Sequence, residues 1–563
     1  MTQSSSPKPR DSDNPLPAAH DALSRADWET AQTAFQAALH QEETPEAFEG
    51  LSWACWWLSD ATTLFEARER AYQLYHQQGD RRGAARLAIW IAHDHVEFRG
   101  QLAIANGWLQ RARRHLEGVD DVPENGWLAL LEGALAIEII HDTTTARQLG
   151  AEAAAWGRRL NVIDLEAVGM ALEGLALVSE GEIDGGTRLL DEAMTAVVGG
   201  EVEQLFSVGW IACYLIYACE RIRDFDRAAQ WCQKMAEFAE RLRFHFWSGI
   251  CRAHYAGVLT WRGHWSEAET ELKLATQELQ ASRPPYMADS AVRLAELRRR
   301  QGRLDEAAAL FAQSDGHPLA LLGNAEIALT QDDPQEAEAL LQRFLRQMPA
   351  ENKSLRAPAL ALLVQTYLAL GDEQQAAAAL ESLQAITTIV MTPLLQAATA
   401  YCQGLLAVAA TDYQAASYQF EDAVALFHHN GAPYEAGRAR IELGQVLYAL
   451  NRLEAAQREA EMARQSLQNI GAEREAERAA ALAQRITTTA PQPEPAVDKP
   501  SPFTAREVEV LRLVAEGLTD KEIAGHLTIS EHTVHRHIAN IMTKADAPSR
   551  AAAVAFAAKE NLI

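Results

Sequence analysis

Apolar and small residues recur along most of this chain at i, i+3, i+4 and i+7, the spacing of one face of an amphipathic helix, and the runs are broken at regular intervals by Gly, Asp or Asn. The breaks introduce similar segments: GHWSEAETEL, GRLDEAAALF, GDEQQAAAAL and NRLEAAQREA. Aligning the small residue that follows each turn gives Ala31, Ala67, Ala105, Ala146, Gly186, Ala228, Ala268, Ala307, Ala337, Ala376, Ala416 and Ala456, with gaps of 36 to 42 residues apart from one of 30. Each unit predicts two helices of roughly 13 to 18 residues and a short turn, a helix hairpin. A small residue early in the second helix admits the first helix closely, and the remaining apolar positions face the neighbouring hairpin. A hairpin alone cannot bury these faces, so the units are expected to stack into a superhelical solenoid with an extended concave surface.

On that pattern the segment from about residue 22 to 486 resembles tetratricopeptide (TPR) repeats, somewhat longer than the usual unit. All thirteen tryptophans fall between Trp28 and Trp265. They read either as larger packing residues of the early repeats or, for Trp53, Trp56, Trp57 and Trp90, as the lining of a groove for a partner. The run HDHVEF offers His93, Asp94, His95 and Glu97, but residues two apart diverge on a helix, so no metal site is expected. The six cysteines lie within apolar helical patterns without a CxxC pair and are expected to be buried free thiols.

Periodicity stops after Ile486. The stretch TTTAPQPEPAVDKPSP carries five prolines and reads as an extended linker over residues 487–502, ahead of a separate unit at 503–563. In that unit Thr504 with Glu507 and Thr519 with Glu522 have capping-box spacing, and Ser530 can cap the helix opening EHTVHRH. Gly517 suits the left-handed end of the first helix. Helices are predicted at 504–516, 519–527 and 530–545, with Pro548 breaking the third and Ser549 capping a fourth to about residue 560. Val510, Leu511, Val514, Ile523, Ala524, Leu527, Val534, Ile538, Ile541 and Met542 form one core, which leaves His532, His535, Arg536, Ala539 and Thr543 on the opposite face of the third helix. A face with one firm cation, hydrogen-bonding groups and a small residue suits the DNA major groove.

The segment FTAREVEVLRLVAEGLTDKEIAGHLTISEHTVHRHIANIMTKADAPSRAAAVAFA closely resembles the LuxR-type helix-turn-helix. The resemblance implies that the third helix reads bases, with His535, Arg536 and Ala539 toward base edges and Lys521, Thr533 and Lys544 near phosphates. It also implies that the fourth helix pairs two such domains into a homodimer on double-stranded DNA. The loop KADAPSR departs from the family pattern by placing Asp546 close to the nucleic acid. The whole order resembles large bacterial LuxR-type regulators of the maltose-regulator group, without their nucleotide-binding domain: the chain contains no GxxxxGK[ST] loop and no Gly-Lys pair.

The net charge of −26 argues against contact with nucleic acid by the molecule at large, so DNA contact must be local. The terminal unit from Ser501 carries seven Lys/Arg against eight Asp/Glu, which favours binding as a dimer on two half-sites. No apolar run is expected to cross a membrane, residues 1–21 read as a disordered tail without a secretory signal, and a cytoplasmic location follows. No nucleophile–base pair or paired carboxylates stand out, so an enzyme is not expected and no cofactor is called for. The expectation is an all-α transcriptional regulator whose solenoid receives a protein or small-molecule effector. The alternative is a TPR scaffold whose terminal domain docks on a protein.

Overall fold

The computed structural model describes residues 15–242, 249–314, 317–489, 503–527, 529–545, 547, 549–559 and 562. Among these the regular structure is entirely helical. Helices from Leu16–Ser24 to Leu453–Ile470 pair into twelve successive hairpins, and Glu473–Thr489 packs on the last as a closing helix. The first helix starts inside the segment expected to be a tail, and the closing helix runs three residues into the expected linker; residues 490–502 lie outside the described residues.

The aligned small residues are buried in the first turns of the second helices, as with Ala31, Ala146, Ala268 and Ala416, all at 0% exposure. In the second hairpin the register falls on Leu64, fourth residue of Ala61–Gln78, and Ala67 sits one turn further on. In three of the second helices the eighth position carries a phenylalanine that fills the gap between layers. Phe35, Phe311 and Phe420 are almost wholly buried there, each against a glycine of a facing helix: Gly50, Gly323 and Gly404. A Cβ built on Gly323 would lie 2.1 Å from the Phe311 ring.

Helices Thr143–Leu160 and Ile163–Glu180 approach most closely through Gly150, Gly157 and Gly169. A Cβ at Gly169 would stand 2.4 Å from the Ala154 nitrogen, a backbone atom that cannot swing aside. Gly169→Ala is therefore expected to cost about 1 to 3 kcal/mol, seen as a lower urea midpoint with an unchanged slope. A midpoint within error of the parent would show that the two helices separate freely.

The solenoid winds tightly enough for hairpins about five apart to touch. The Lys353 Nζ donates to the Glu180 carbonyl at 2.8 Å, Arg283 pairs with Glu97 at 3.0 Å, and Gly263 lies beside Pro433 and Ile470. These closures turn the concave surface into a partly open axial cavity of about 700 Å³.

Two expectations need correction. Cys213 and Cys251 form a disulfide, with Cα atoms 5.5 Å apart, whereas Cys55, Cys219, Cys232 and Cys402 are buried thiols. The pair is 38 residues apart, about one repeat, so the winding of the solenoid brings equivalent positions of neighbouring first helices side by side. Second, helix Leu205–Ile222 is long and apolar enough to cross a membrane by length and composition, at 18 residues and a mean hydropathy of 1.3. Here Val208, Ile211, Leu215 and Ile216 are buried in the solenoid core.

The tryptophans of the early hairpins pack mainly on one another. Trp53 meets Trp90 edge-on at 5.0 Å and stacks with Phe206 at 5.7 Å, and the Arg68 guanidinium lies 4.6 Å from the Trp53 ring while pairing with Asp94 at 2.5 Å. Both members of that ion pair are fully buried. His93 sits among Trp56, Trp90 and Trp210, and His95 bonds Gln101 at 2.8 Å.

Candidate nucleic-acid interface

The terminal unit folds as its local signals dictate. Its helices are Ala505–Ala515, Asp520–Leu527, Glu531–Lys544 and Arg550–Lys559. The Thr504 hydroxyl accepts from the Glu507 amide, and the Glu507 carboxylate accepts from the Thr504 amide at 2.7 Å, a complete capping box. Thr519 and Glu522 repeat the exchange, and Ser530 accepts from the Thr533 amide at 3.0 Å. Gly517 takes φ +88°, which lets the chain turn tightly into the second helix. Val510, Leu511, Ile523, Val534 and Ile541 are buried together, with Val514, Leu527 and Met542 packed around them. Asp546 and Pro548 lie outside the described residues.

This core orients the third helix, but its outward face is divided. The His535 side chain is 77% exposed, 3.5 Å from Asp520, and Ala539 and Lys521 are exposed as well. Thr533 is buried at 2%, its hydroxyl 2.8 Å from that of Ser530, within the cap. Lys544 reaches back to Glu507 at 2.6 Å while its side chain stays 38% exposed.

The remaining groups turn toward the solenoid, against helix Tyr413–His429. His537 lies 3.5 Å from Asp422, the His532 ring is 5.1 Å from that of His429, and Arg506 stands 4.0 Å from Asp422 and 4.9 Å from the Tyr418 ring centroid. Asp422 is 6% exposed and Arg506 4%, so these charges face each other away from water.

Arg536 is enclosed at the same contact. Its Nε and both Nη atoms have no hydrogen-bond partner, and burial lowers its pKa, with Asp422 opposing the shift. Beside it, burial pushes the Glu421 carboxyl up to about 8, and the Asp422 and Glu507 carboxylates push it further the same way. Docking therefore holds Arg536, one of the side chains expected at base edges, off the surface while leaving His535 and Ala539 accessible. Asp422 and His537 were not singled out from sequence. They are 115 residues apart, and a lone Asp in a repeat helix carries no local signal of its partner.

A solenoid of helix hairpins carrying a C-terminal helix-turn-helix is the architecture these elements define. Residues 501–557 match the family described as bacterial regulatory proteins, luxR family, and the terminal unit is a LuxR-family helix-turn-helix domain. The same region is 44% identical over 62 residues to the uncharacterized transcriptional regulatory protein YxjL of Bacillus subtilis, covering 11% of this chain and 28% of that protein. It is 44% identical over 61 residues to the transcriptional regulatory protein LiaR of Bacillus subtilis, covering 11% of this chain and 29% of that protein. The regulatory protein SdiA of Escherichia coli is 46% identical over 61 residues, 11% of this chain and 25% of its own length. The matched region thus spans less than a third of each relative. Among solved structures, the Cut9–Hcn1 hetero-tetramer of the APC/C aligns over 83% of this chain and 95% of its own, at 14% identity and TM-score 0.42. The apo quorum sensor NprR from B. thuringiensis aligns over 60% of this chain and 97% of its own, at 14% identity and TM-score 0.38.

Proposed function

We propose that the chain is a cytoplasmic DNA-binding transcriptional regulator that binds duplex DNA as a dimer through its terminal domain, with the solenoid as its sensing part. The reading rests on one observation above the others: a LuxR-family domain, complete in its caps and core, at the end of a solenoid with its own axial cavity. In this reading the third helix enters the major groove, His535, Arg536 and Ala539 face base edges, and Lys521, Thr533 and Lys544 lie toward phosphates. With Arg536 turned into the solenoid, the docked arrangement is a closed form, and release of the terminal domain is the regulated step. Selection from a random duplex pool with the full-length protein tests the function: enrichment of a two-fold symmetric motif is expected, and recovery of unenriched sequence would sink it.

The contact with Tyr413–His429 also favours a second reading, in which the terminal domain is a protein-docking module and the solenoid a scaffold. The same selection separates the two, because a docking module enriches no motif.

A further inference from the structure

The axial cavity is lined unevenly in charge compensation. Six arginines reach it: Arg221, Arg223, Arg293, Arg299, Arg300 and Arg438. Four are matched to carboxylates: Arg293 with Glu220 at 2.8 Å, Arg299 with Glu326 at 2.8 Å, Arg300 with Glu435 at 2.9 Å and Arg438 with Glu326 at 3.7 Å. The other two stand at the C-terminal end of helix Leu205–Ile222 with no carboxylate within 4.0 Å among the described residues. Arg221 contacts the Ser179 hydroxyl, and the Arg223 guanidinium lies 3.8 Å from the Trp261 ring centroid.

A guanidinium taken out of water without an anion is costly, and burial lowers the pKa of both groups, that of Arg223 to about 10. Glu220 and Glu138 act on Arg221, and Glu435, Glu326 and Glu296 on Arg223, only from beyond ion-pair distance, so each guanidinium presents a positive charge to the cavity without a direct carboxylate partner.

A carboxyl of the same lining adds to the imbalance. A π-helical turn, Ala136–Ile140, carries Glu138 into the lining. The groups around this carboxyl are Glu97, Tyr214, Arg221 and Asp289, and burial, reinforced by Glu97, pushes it up to about 8. It is therefore largely neutral at pH 7. His141, next along the wall, is held neutral by burial, its pKa pushed down to about 4. The polar atoms His141 Nδ1, Arg300 Nη1 and Ser354 Oγ lie buried in this lining without hydrogen-bond partners. Between them stand the rings of Tyr217, Tyr286, Tyr401 and Tyr434. The volume falls within the range of about 300 to 1,000 Å³ that holds small organic ligands.

We propose that this cavity binds a small organic anion with an aromatic body, its acidic group compensated by Arg221 and Arg223. The inference rests on the solenoid being the sensing part. The anion supplies the direct ion-pair partner that both guanidinium groups lack, and the tyrosine rings pack against its apolar body.

The test uses two naphthyl dyes that differ by one charged group: 8-anilinonaphthalene-1-sulfonate and the uncharged N-phenyl-1-naphthylamine. The full-length protein is expected to bind the sulfonate saturably at one site. The R221M/R223M variant should lose at least tenfold in sulfonate affinity, with the uncharged dye bound within twofold of the parent, which also reports an intact cavity. A second arm keeps both arginines: parental sulfonate affinity should fall as pH rises from 7 to 9, because Glu138 gains its charge through about pH 8, whereas E138Q should stay flat. Equal sulfonate affinity in parent and R221M/R223M, or the same pH profile in E138Q and parent, would overturn the proposal. Because both arms are read without DNA, they stand apart from the sensing role. A dye that binds as expected but leaves DNA affinity unmoved would count against the solenoid as sensor and not against the site.

Discussion

Asp422→Arg is expected to raise the DNA affinity of the full-length protein by about 10- to 100-fold. Asp422 is the acidic group that faces His537 at 3.5 Å and Arg506 at 4.0 Å and that opposes the cost of enclosing Arg536. With 6% of its side chain exposed, its pairing is screened little by solvent. Removing one partner of a buried ion pair costs about 3 to 5 kcal/mol, and a guanidinium in its place adds repulsion from Arg506 and Arg536. Apparent affinity is the intrinsic affinity multiplied by the open fraction, so a change that empties the closed form returns the whole of that factor. The new arginine could attract phosphates by itself, which Asp422→Ala controls for: it adds no cation and should move in the same direction by about tenfold. Unchanged binding by both variants, with the solenoid melting as in the parent, would show that the docked arrangement does not hold back DNA binding.

What could be read from the sequence follows from the range of the interactions involved. The caps of Thr504, Thr519 and Ser530 join residues three apart, so the chain itself displays donor and acceptor together, and the helix limits fell within a residue or two of the structure. The hairpins were legible because one small residue per repeat must admit a neighbouring helix. Where a leucine took that place, at Leu64, the alignment slid one turn to Ala67.

Features set by the winding were not legible. Cys213 and Cys251 meet because equivalent positions of adjacent hairpins lie side by side, and Glu138 and Arg221 line one cavity that forms only as hairpins five apart close on each other. The contact of Asp422 with His537 depends on where the terminal domain settles, and no local pattern records that. Of the residues expected at DNA, Lys521, His535 and Ala539 are exposed, while Arg536 is enclosed by a surface more than a hundred residues away in sequence.

Arg536→Ala is expected to lower discrimination at one base position by about 1 to 3 kcal/mol, or roughly 5- to 150-fold in the ratio of affinities for matched and mismatched sites. Its effect on total affinity has two opposing parts. The variant loses its base contact, but it also removes a guanidinium whose nitrogens are all unpartnered at the contact with the solenoid, which alters the balance between closed and open forms. The ratio of affinities is free of this complication, because the open fraction multiplies every sequence equally and cancels. The same ratio should therefore appear in Asp422→Arg/Arg536→Ala, although the absolute affinities of the two backgrounds differ. Lys521→Ala supplies the contrast: its exposed ammonium would contact a phosphate, so all sites should weaken alike and the slope of log affinity against log salt should fall by about 1. If Arg536→Ala left the ratio untouched in both backgrounds, base reading would belong to His535 and Ala539, and Arg536 would serve the closed form alone.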